Sequence, residues 1–497
     1  MNQDSIYAYT IPDNGRVKLT LDERFIRLEY SQSLRDHNTF PAGCLSSVSC
    51  ISPSSFNSKQ NPSILYFNIL WAEVSSALMS DFKAALTIDY CTTTEKKTAQ
   101  LQKLTLSIDA EFVDSCNEWI QKLLQRVYNA SAGVVRCKRL LILINPFGGQ
   151  GKARAMFQAE SLPIMDAARC KIDEVVTKYK GHAAEIIENM ENLEELYDAI
   201  VCCSGDGIPH EVFNGLSRRP DVKKAFTMPV CQLPCGSGSA LCVNLVGSKN
   251  VSYSSLCVVK GAPQRMDLCS LTQKGKRYMT FLSQTLGMIA DCDIGTEHLR
   301  WMGEARFTVG ILMRVLAKSK YPCEISVRIA HESRNQVRQA YNEHKLRPQS
   351  SLPDQEDGLP ALKYGTVDDD VPEDWKTIES SSLAIFYVGK MPWMSSDAMF
   401  FPAALPRDGY MDMVLVDSKI PLSESLKILT SIEEGKHFDS KHVHYYKVDA
   451  YRITPKAKSG FISIDGESFS FDPFQVEIHQ GLATVLSHSP SFQAPGV

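Results

Sequence analysis

A chain of 497 residues is too long for one simple domain and points to two to four, and its 44% hydrophobic and 22% charged content is that of an ordinary soluble globular protein. A formal net charge of −4 and a pI near 6.3 exclude a general nucleic-acid binder. The 15 cysteines lack metal-ligand spacing and several sit in apolar runs such as Val201-Cys202-Cys203, which excludes a disulfide framework and points to a reducing compartment.

The N-terminus has neither a basic region nor an apolar core, so no signal peptide is expected. No run approaches the roughly 18 to 20 apolar residues that span a bilayer. A cytoplasmic protein is the expectation. Residues 1–130 alternate short β-prone segments (Arg16–Leu21, Phe25–Tyr30, Ile64–Ile69, Ala85–Asp89, Leu101–Ile108) with Ser-, Asn- and Pro-rich turns. A helix follows over Glu111–Val127, with Phe112, Cys116, Trp119, Ile120, Leu123 and Leu124 on one face. Several strands and one Trp-bearing helix resemble a pleckstrin-homology-like module; an irregular β-rich extension is the plainer reading.

From Arg139 the pattern becomes strand-loop-helix. Strands are expected at Leu140–Ile144, Lys171–Thr177, Ala199–Cys203 and Val230–Leu233, with helices at Ala153–Glu160, His182–Tyr197, His210–Arg218 and Ser239–Val246. Residues 136–260 thus read as a doubly wound, mostly parallel α/β nucleotide-binding domain, which binds ligands at the carboxyl ends of its strands. Over 261–490 the strands lengthen (Met279–Ser283, Cys323–Ile329, Ser382–Val388, Met411–Val416, Ala450–Ile453, Gly460–Ile464, Gln475–His479), the pattern of an antiparallel β-sandwich. Residues 331–377 are polar and Pro-rich and read as a disordered insertion, with Asp368-Asp369-Asp370 a solvated face.

Three Gly-rich turns follow three of the α/β strands. Asn145-Pro146-Phe147-Gly148-Gly149 brings backbone amides within reach of an anion, yet is not a Walker loop, because Pro146 stands where the first Gly would be. Ser204-Gly205-Asp206-Gly207 sets an unshielded carboxylate at the ligand edge, where it can hold Mg²⁺ or accept a hydroxyl proton; a plain Asp-Gly turn is the alternative. Leu233-Pro234-Cys235-Gly236-Ser237-Gly238 offers a third backbone cradle. Three such turns in one sheet carry more weight than any one.

The ordered set resembles the diacylglycerol-kinase catalytic family. Gly287–Phe307 and Phe461–Glu467 resemble segments of sphingosine kinases, and Gly205–Leu216 and Met399–Pro406 are most similar to fungal long-chain base kinases. The resemblance covers Arg139 to Val485 apart from the insertion. It implies a lipid kinase that moves the γ-phosphate of ATP to the primary hydroxyl of a sphingoid base, with Asp206 receiving the hydroxyl proton. It implies ATP contacts from Asn145, Pro146, Phe147, Thr177, Ser204, Gly205, Gly207, Gly236 and Ser237. Arg300 and Arg306 would meet the phosphates, Asp465, Gly466 and Glu467 would close over the nucleotide, and Asp206 and Glu467 would hold Mg²⁺. Asp293 would meet the base's ammonium, with Ser283 beside the polar head and Leu429 and Ile432 along the tail.

Plainer alternatives stay open for several of these: Arg300 and Arg306 as surface residues six apart, Asp293 as a helix cap, and the Leu426–Ile432 stripe as an ordinary core helix. Two departures are visible. Ser239 stands where the family usually has Asn, and Phe147 where a basic residue is common; both bear on nucleotide affinity. A ceramide or diacylglycerol kinase and a non-catalytic lipid-binding scaffold are the competing functions. The expected partners are the lipid substrate and a membrane surface visited peripherally, with no nucleic acid and a dimer as the assembly to test.

Overall fold

A computed structural model of the chain describes residues 4–11, 15–30, 62–80, 83–295, 305–346 and 358–497. They form two compact units, one of Met1–Lys138, Gln158–Lys171 and Asn250–Ala262, the other of Arg139–Phe157, Ile172–Lys249 and Pro263–Val497.

In the first unit the seven strands β1 (Ser5–Tyr9), β2 (Arg16–Leu21), β3 (Phe25–Tyr30), β4 (Ser63–Leu65), β5 (Ile69–Ser80), β6 (Lys83–Thr93) and β7 (Ala99–Asp109) are antiparallel in the order β4-β3-β2-β1-β7-β6-β5. Helix α1 (Val113–Val127) follows and buries Cys116, Trp119, Ile120, Leu123 and Leu124, the face the 3.6-residue period predicts. The sequence pattern places residues 158–171 and 250–260 with the α/β domain. In the structure they group with this unit, because Leu162–Ala167 packs on β5 and β6 and Val251–Lys260 packs on β7.

The second unit opens on a parallel sheet of β8 (Arg139–Ile144), β9 (Lys171–Val176), β10 (Ala199–Ser204) and β11 (Val230–Pro234), in the order β9-β8-β10-β11. Residues Leu140–Ile144 and Ala199–Cys203 are fully buried, the continuous apolar run expected of strands covered on both faces. Each buried Leu, Ile or Val contributes about 1.5–3 kcal/mol. The helices α2 (His182–Asn189), α3 (Gly207–Ser217) and α4 (Ala240–Val246) follow β9, β10 and β11; the three Gly-rich turns leave the carboxyl ends of the parallel strands β8, β10 and β11 and so share one sheet edge. The predicted helix to Tyr197 stops early: Asn192 turns left-handed at φ +54°.

Strands β12 (Ala262–Gln273), β13 (Lys276–Thr280), β14 (Ser283–Gly287), β15 (Cys323–His331), β16 (Lys376–Ser380), β17 (Leu383–Gly389), β18 (Met411–Asp417), β19 (Val443–Pro455), β20 (Ile462–Ile464), β21 (Glu467–Phe469) and β22 (Phe474–Ser487) build the antiparallel remainder. Strand β22 continues into the parallel sheet through β11, Val485 opposite Val230. Helices α5 (Met288–Asp293), α6 (Ala305–Leu316), α7 (Arg334–Lys345) and α8 (Leu422–Thr430) interrupt it.

The stretch expected to be a disordered insertion is largely built. Helix α7 starts at a capping box of Ser333 and Gln336 and buries Val337, Ala340 and Tyr341. Residues 360–367 are strapped down by buried side chains: Glu477 accepts the amides of Lys363 (3.0 Å) and Tyr364 (3.1 Å), and Gln475 donates to the carbonyls of Tyr364 and Gly365. Polar composition conceals this because the partners lie more than 100 residues away. Residues 347–357 are outside the described part. Among the described residues no helix is long and apolar enough to cross a membrane.

Candidate functional site

Two of the turns are pressed into one another. A Cβ on Gly236 would lie 2.1 Å from the Gly205 amide nitrogen, and one on Gly205 would lie 2.7 Å from the Gly238 carbonyl oxygen. Only glycine allows that approach. The first turn joins them, since a Cβ on Gly148 would stand 3.0 Å from the Cys235 carbonyl oxygen. Asn145 caps its own turn by accepting the Phe147 amide at 3.0 Å, which leaves the Phe147 ring 78% exposed at the rim. Thr177 is buried and bonds the Ile144 carbonyl through its amide (2.9 Å) and its hydroxyl (3.3 Å). Ser204 is buried, with its hydroxyl on the Gly205 carbonyl, whereas Ser237 is exposed.

Asp206 precedes α3 but its carboxylate reaches across to α4. Oδ2 accepts the Ala240 amide at 2.9 Å; Oδ1 accepts the Leu241 amide at 3.1 Å and Gln232 Nε2 at 3.2 Å. Burial pushes its pKa above the usual carboxylate value, against those three bonds, and the charge of Asp465 adds to the rise. Oδ2 carries a single hydrogen bond among the described contacts and so retains a lone pair for an incoming proton. Gln232 is not among the residues the sequence singles out; its signal is one amide inside the apolar run of β11. Beside it, the Ser239 hydroxyl is buried with no partner among the described residues.

The expected closing motif is a two-residue hairpin between β20 and β21. Asp465 (φ +52°) and Gly466 (φ +84°) supply the left-handed pair such a turn requires. The Asp465 carboxylate is spent inside the protein: it meets Thr280 Oγ1 (2.6 Å), the amides of Phe281, Leu282 and Ser283, and His210 Nδ1 (2.8 Å). It therefore faces the fold, while Glu467 faces Gly207, where a Cβ would stand 2.9 Å from its Oε1, and pairs with Lys180. A cleft of about 330 Å³ opens here, lined by Lys180, His210, Arg218, Tyr278, Glu467 and Phe469. Its approach is fixed by Glu211, which accepts the Gly181 (2.7 Å) and Ala183 (3.0 Å) amides at the start of α2.

Among the described residues no group of three or more His, Cys, Asp or Glu side chains could hold a metal ion. Asp206 and Glu467, beside the glycine turns, are the carboxylates that would meet a Mg²⁺ brought in on an anionic ligand, with no protein cage among the described residues.

On the other side of the hairpin, Asp293 ends α5 and accepts the Ser463 hydroxyl of β20. Ser283 is buried at the start of β14 and its hydroxyl lies 3.4 Å from that of Tyr387. The charges of Asp293, Asp465 and Asp206 all raise the pKa of Tyr387, after the larger effect of its burial. That phenol, hidden in the apolar run of β17, stands within electrostatic reach of all three carboxylates. Leu429 lines a narrow apolar slot of about 30 Å³ with Met288, Val315, Ile385, Val416 and Ile428. Ile432 packs into the adjoining core with Phe400, Phe401 and Phe438 and does not line the slot. Arg300 lies outside the described residues; Arg306 lies on α6, with only its backbone described.

A family model for the diacylglycerol kinase catalytic domain matches residues 139–271. A YegS C-terminal NAD kinase beta sandwich-like domain matches 360–487, and a domain of unknown function matches 10–129. The chain is 38% identical over 430 residues to sphingoid long chain base kinase 5 of Saccharomyces cerevisiae, covering 74% of this chain and 62% of that relative's own length. It is 34% identical over 433 residues to sphingoid long chain base kinase 4 of Schizosaccharomyces pombe, covering 86% and 89%. Against sphingosine kinase 1 of Homo sapiens it is 30% identical over 363 residues, covering 70% and 91%.

Proposed function

The chain belongs to the sphingoid long-chain base kinase family, and from that premise we propose that it transfers the γ-phosphate of ATP to the primary hydroxyl of a sphingoid base. The observation that carries the reading is the Asp206 carboxylate, held by two amides and Gln232 with a lone pair left on Oδ2. The lipid hydroxyl oxygen bonds to the γ-phosphorus as the bond to the β–γ bridging oxygen breaks. Its proton passes to Asp206 and ADP leaves. The fused glycine turns present amides to the phosphates without side chains in the way, and the transfer needs such placement more than covalent help. Mg²⁺, when bound, would neutralise phosphate charge; Glu467, beside Gly207, is the carboxylate that would hold it, since the lone pair left on Asp206 Oδ2 receives the proton. Asp465 acts through the hairpin it anchors.

Asp293 supports a cationic lipid over a neutral one, because a partly exposed carboxylate beside Ser463 favours an ammonium. The apolar slot under α8 is the reading for the tail. A peripheral membrane visit is supported by Met313 and Leu316 on α6 and Leu422 and Leu426 on α8, all exposed on two helices that pack together, with Leu422 bordering the slot. The test is labelled ATP against sphinganine, phytosphingosine, sphingosine, ceramide and diacylglycerol. Only the three bases should be labelled, and Asp293→Ala should lose activity on them. Better labelling of the neutral lipids with Asp293→Ala indifferent would overturn the assignment.

A further inference from the structure

We propose that Asp291, Arg314 and Tyr321 form a positioning clamp that fixes the distance between the base-binding end of α5 and the helix that carries Arg306. This rests on the kinase reading above. Asp291 and Asp293 are two positions apart on α5, so their side chains leave the helix about 200° apart. Asp293 turns to Ser463 and the site. Asp291 turns away: its Oδ2 accepts Arg314 Nε of α6 at 2.9 Å and the Tyr321 hydroxyl at 2.7 Å.

Each donor is itself anchored. The Tyr321 amide donates to the Leu383 carbonyl at 2.8 Å, which ties it to β17. Its ring lies against Gly287, where a Cβ would meet it at 3.2 Å and where φ is +98°, so this glycine both admits the ring and turns the chain into α5. Arg314 lies eight residues beyond Arg306 on the same helix.

A six-residue helix cannot hold its own position, since so short a segment is not stable by its backbone bonds. Met288 and Cys292 pack it into the core with Val315 and Ile385, and Asp291 adds the directional link to α6 and β17, with a charged and a neutral donor on one oxygen. The ion pair is about one-fifth exposed on each side, enclosed enough to be directional yet not deprived of solvent. Asp291 and Tyr321 need not touch either substrate, whereas Arg314 also lines the apolar slot under α8. The three residues set where Asp293 and Arg306 stand relative to each other, and hence whether the hydroxyl and the γ-phosphorus meet in line.

The experiment measures steady-state kinetics of the full chain with sphinganine and ATP, beside thermal melting, for Asp291→Asn, Arg314→Gln, Arg314→Lys and Tyr321→Phe. Asp291→Asn and Arg314→Gln should raise KM for sphinganine and for ATP by roughly 5- to 20-fold, the size of one partly exposed charged link. Their melting temperatures should stay near the wild type. Arg314→Lys should recover part of the loss and Tyr321→Phe should fall between. Should Asp291→Asn fail to fold, Tyr321→Phe, which keeps the carboxylate and lies off the slot, carries the same comparison. Both KM values within two-fold of the wild type, or a lowered melting temperature with KM unchanged, would overturn the clamp. A wild type that labels no sphingoid base would instead remove the kinase reading beneath it.

Discussion

In the proposed reaction Asp206 acts as a base while its surroundings raise its proton affinity, and the two demands set its pH behaviour. Burial lifts the pKa above 3.8, so the reactive carboxylate form is lost at a higher pH than for an ordinary aspartate. The acid limb of kcat/KM should therefore lie above that ordinary value in a pH–rate profile, and a limb at or below it would contradict the role. Asp206→Asn should lower turnover by roughly 10²- to 10⁴-fold, as measured by labelled phosphate transfer, with the fold intact by circular dichroism. This residue is legible in the sequence because glycines flank it at a strand end. Asp465 is legible as a motif but not in its direction: five partners from α3 and from residues 280–283 consume its carboxylate, and none is near it in sequence. Gln232 and Tyr387 are invisible for a related reason. A single polar group in an apolar strand looks like a satisfied core position until its neighbours are known.

Helix α8 illustrates how much an element's pattern conveys. Its apolar stripe marks a packing face, with Ile428 buried, but a stripe does not say which residue borders empty space. Leu429 lines the slot and Ile432 fills core. At about 30 Å³ the slot is too small for a long alkyl chain and must widen to take one. Leu429→Phe should oppose that widening. It should raise KM for an 18-carbon base by roughly ten-fold, about the effect of filling a site by one or two methylenes, and leave short-chain analogues nearly unchanged; equal effects on both would place the tail elsewhere. The parallel strands and their turns are legible because a buried strand ending in glycine is a strong local signal. The strap at 360–367 is not, because Gln475, Glu477 and Arg452 hold it from distant strands.

At the scale of the molecule, charge has to be read locally. The chain carries a net charge of −4, yet Lys318, Lys320, Lys419 and Lys427 are exposed around Met313, Leu316, Leu422 and Leu426. Each lysine at an anionic surface contributes about 1 kcal/mol. Sedimentation with vesicles should show stronger binding to anionic than to neutral lipid, weakening as salt rises. Reversing Lys318 and Lys427 to Glu should cost roughly 30-fold or more in partition coefficient; equal binding to both vesicle types would remove the surface from consideration. The contact of Gly205 with Gly236 has a consequence of another kind. Thirty-one positions separate these glycines, and they touch backbone to backbone. A side chain placed in either turn therefore demands a backbone shift in the other, so the two turns can change only together.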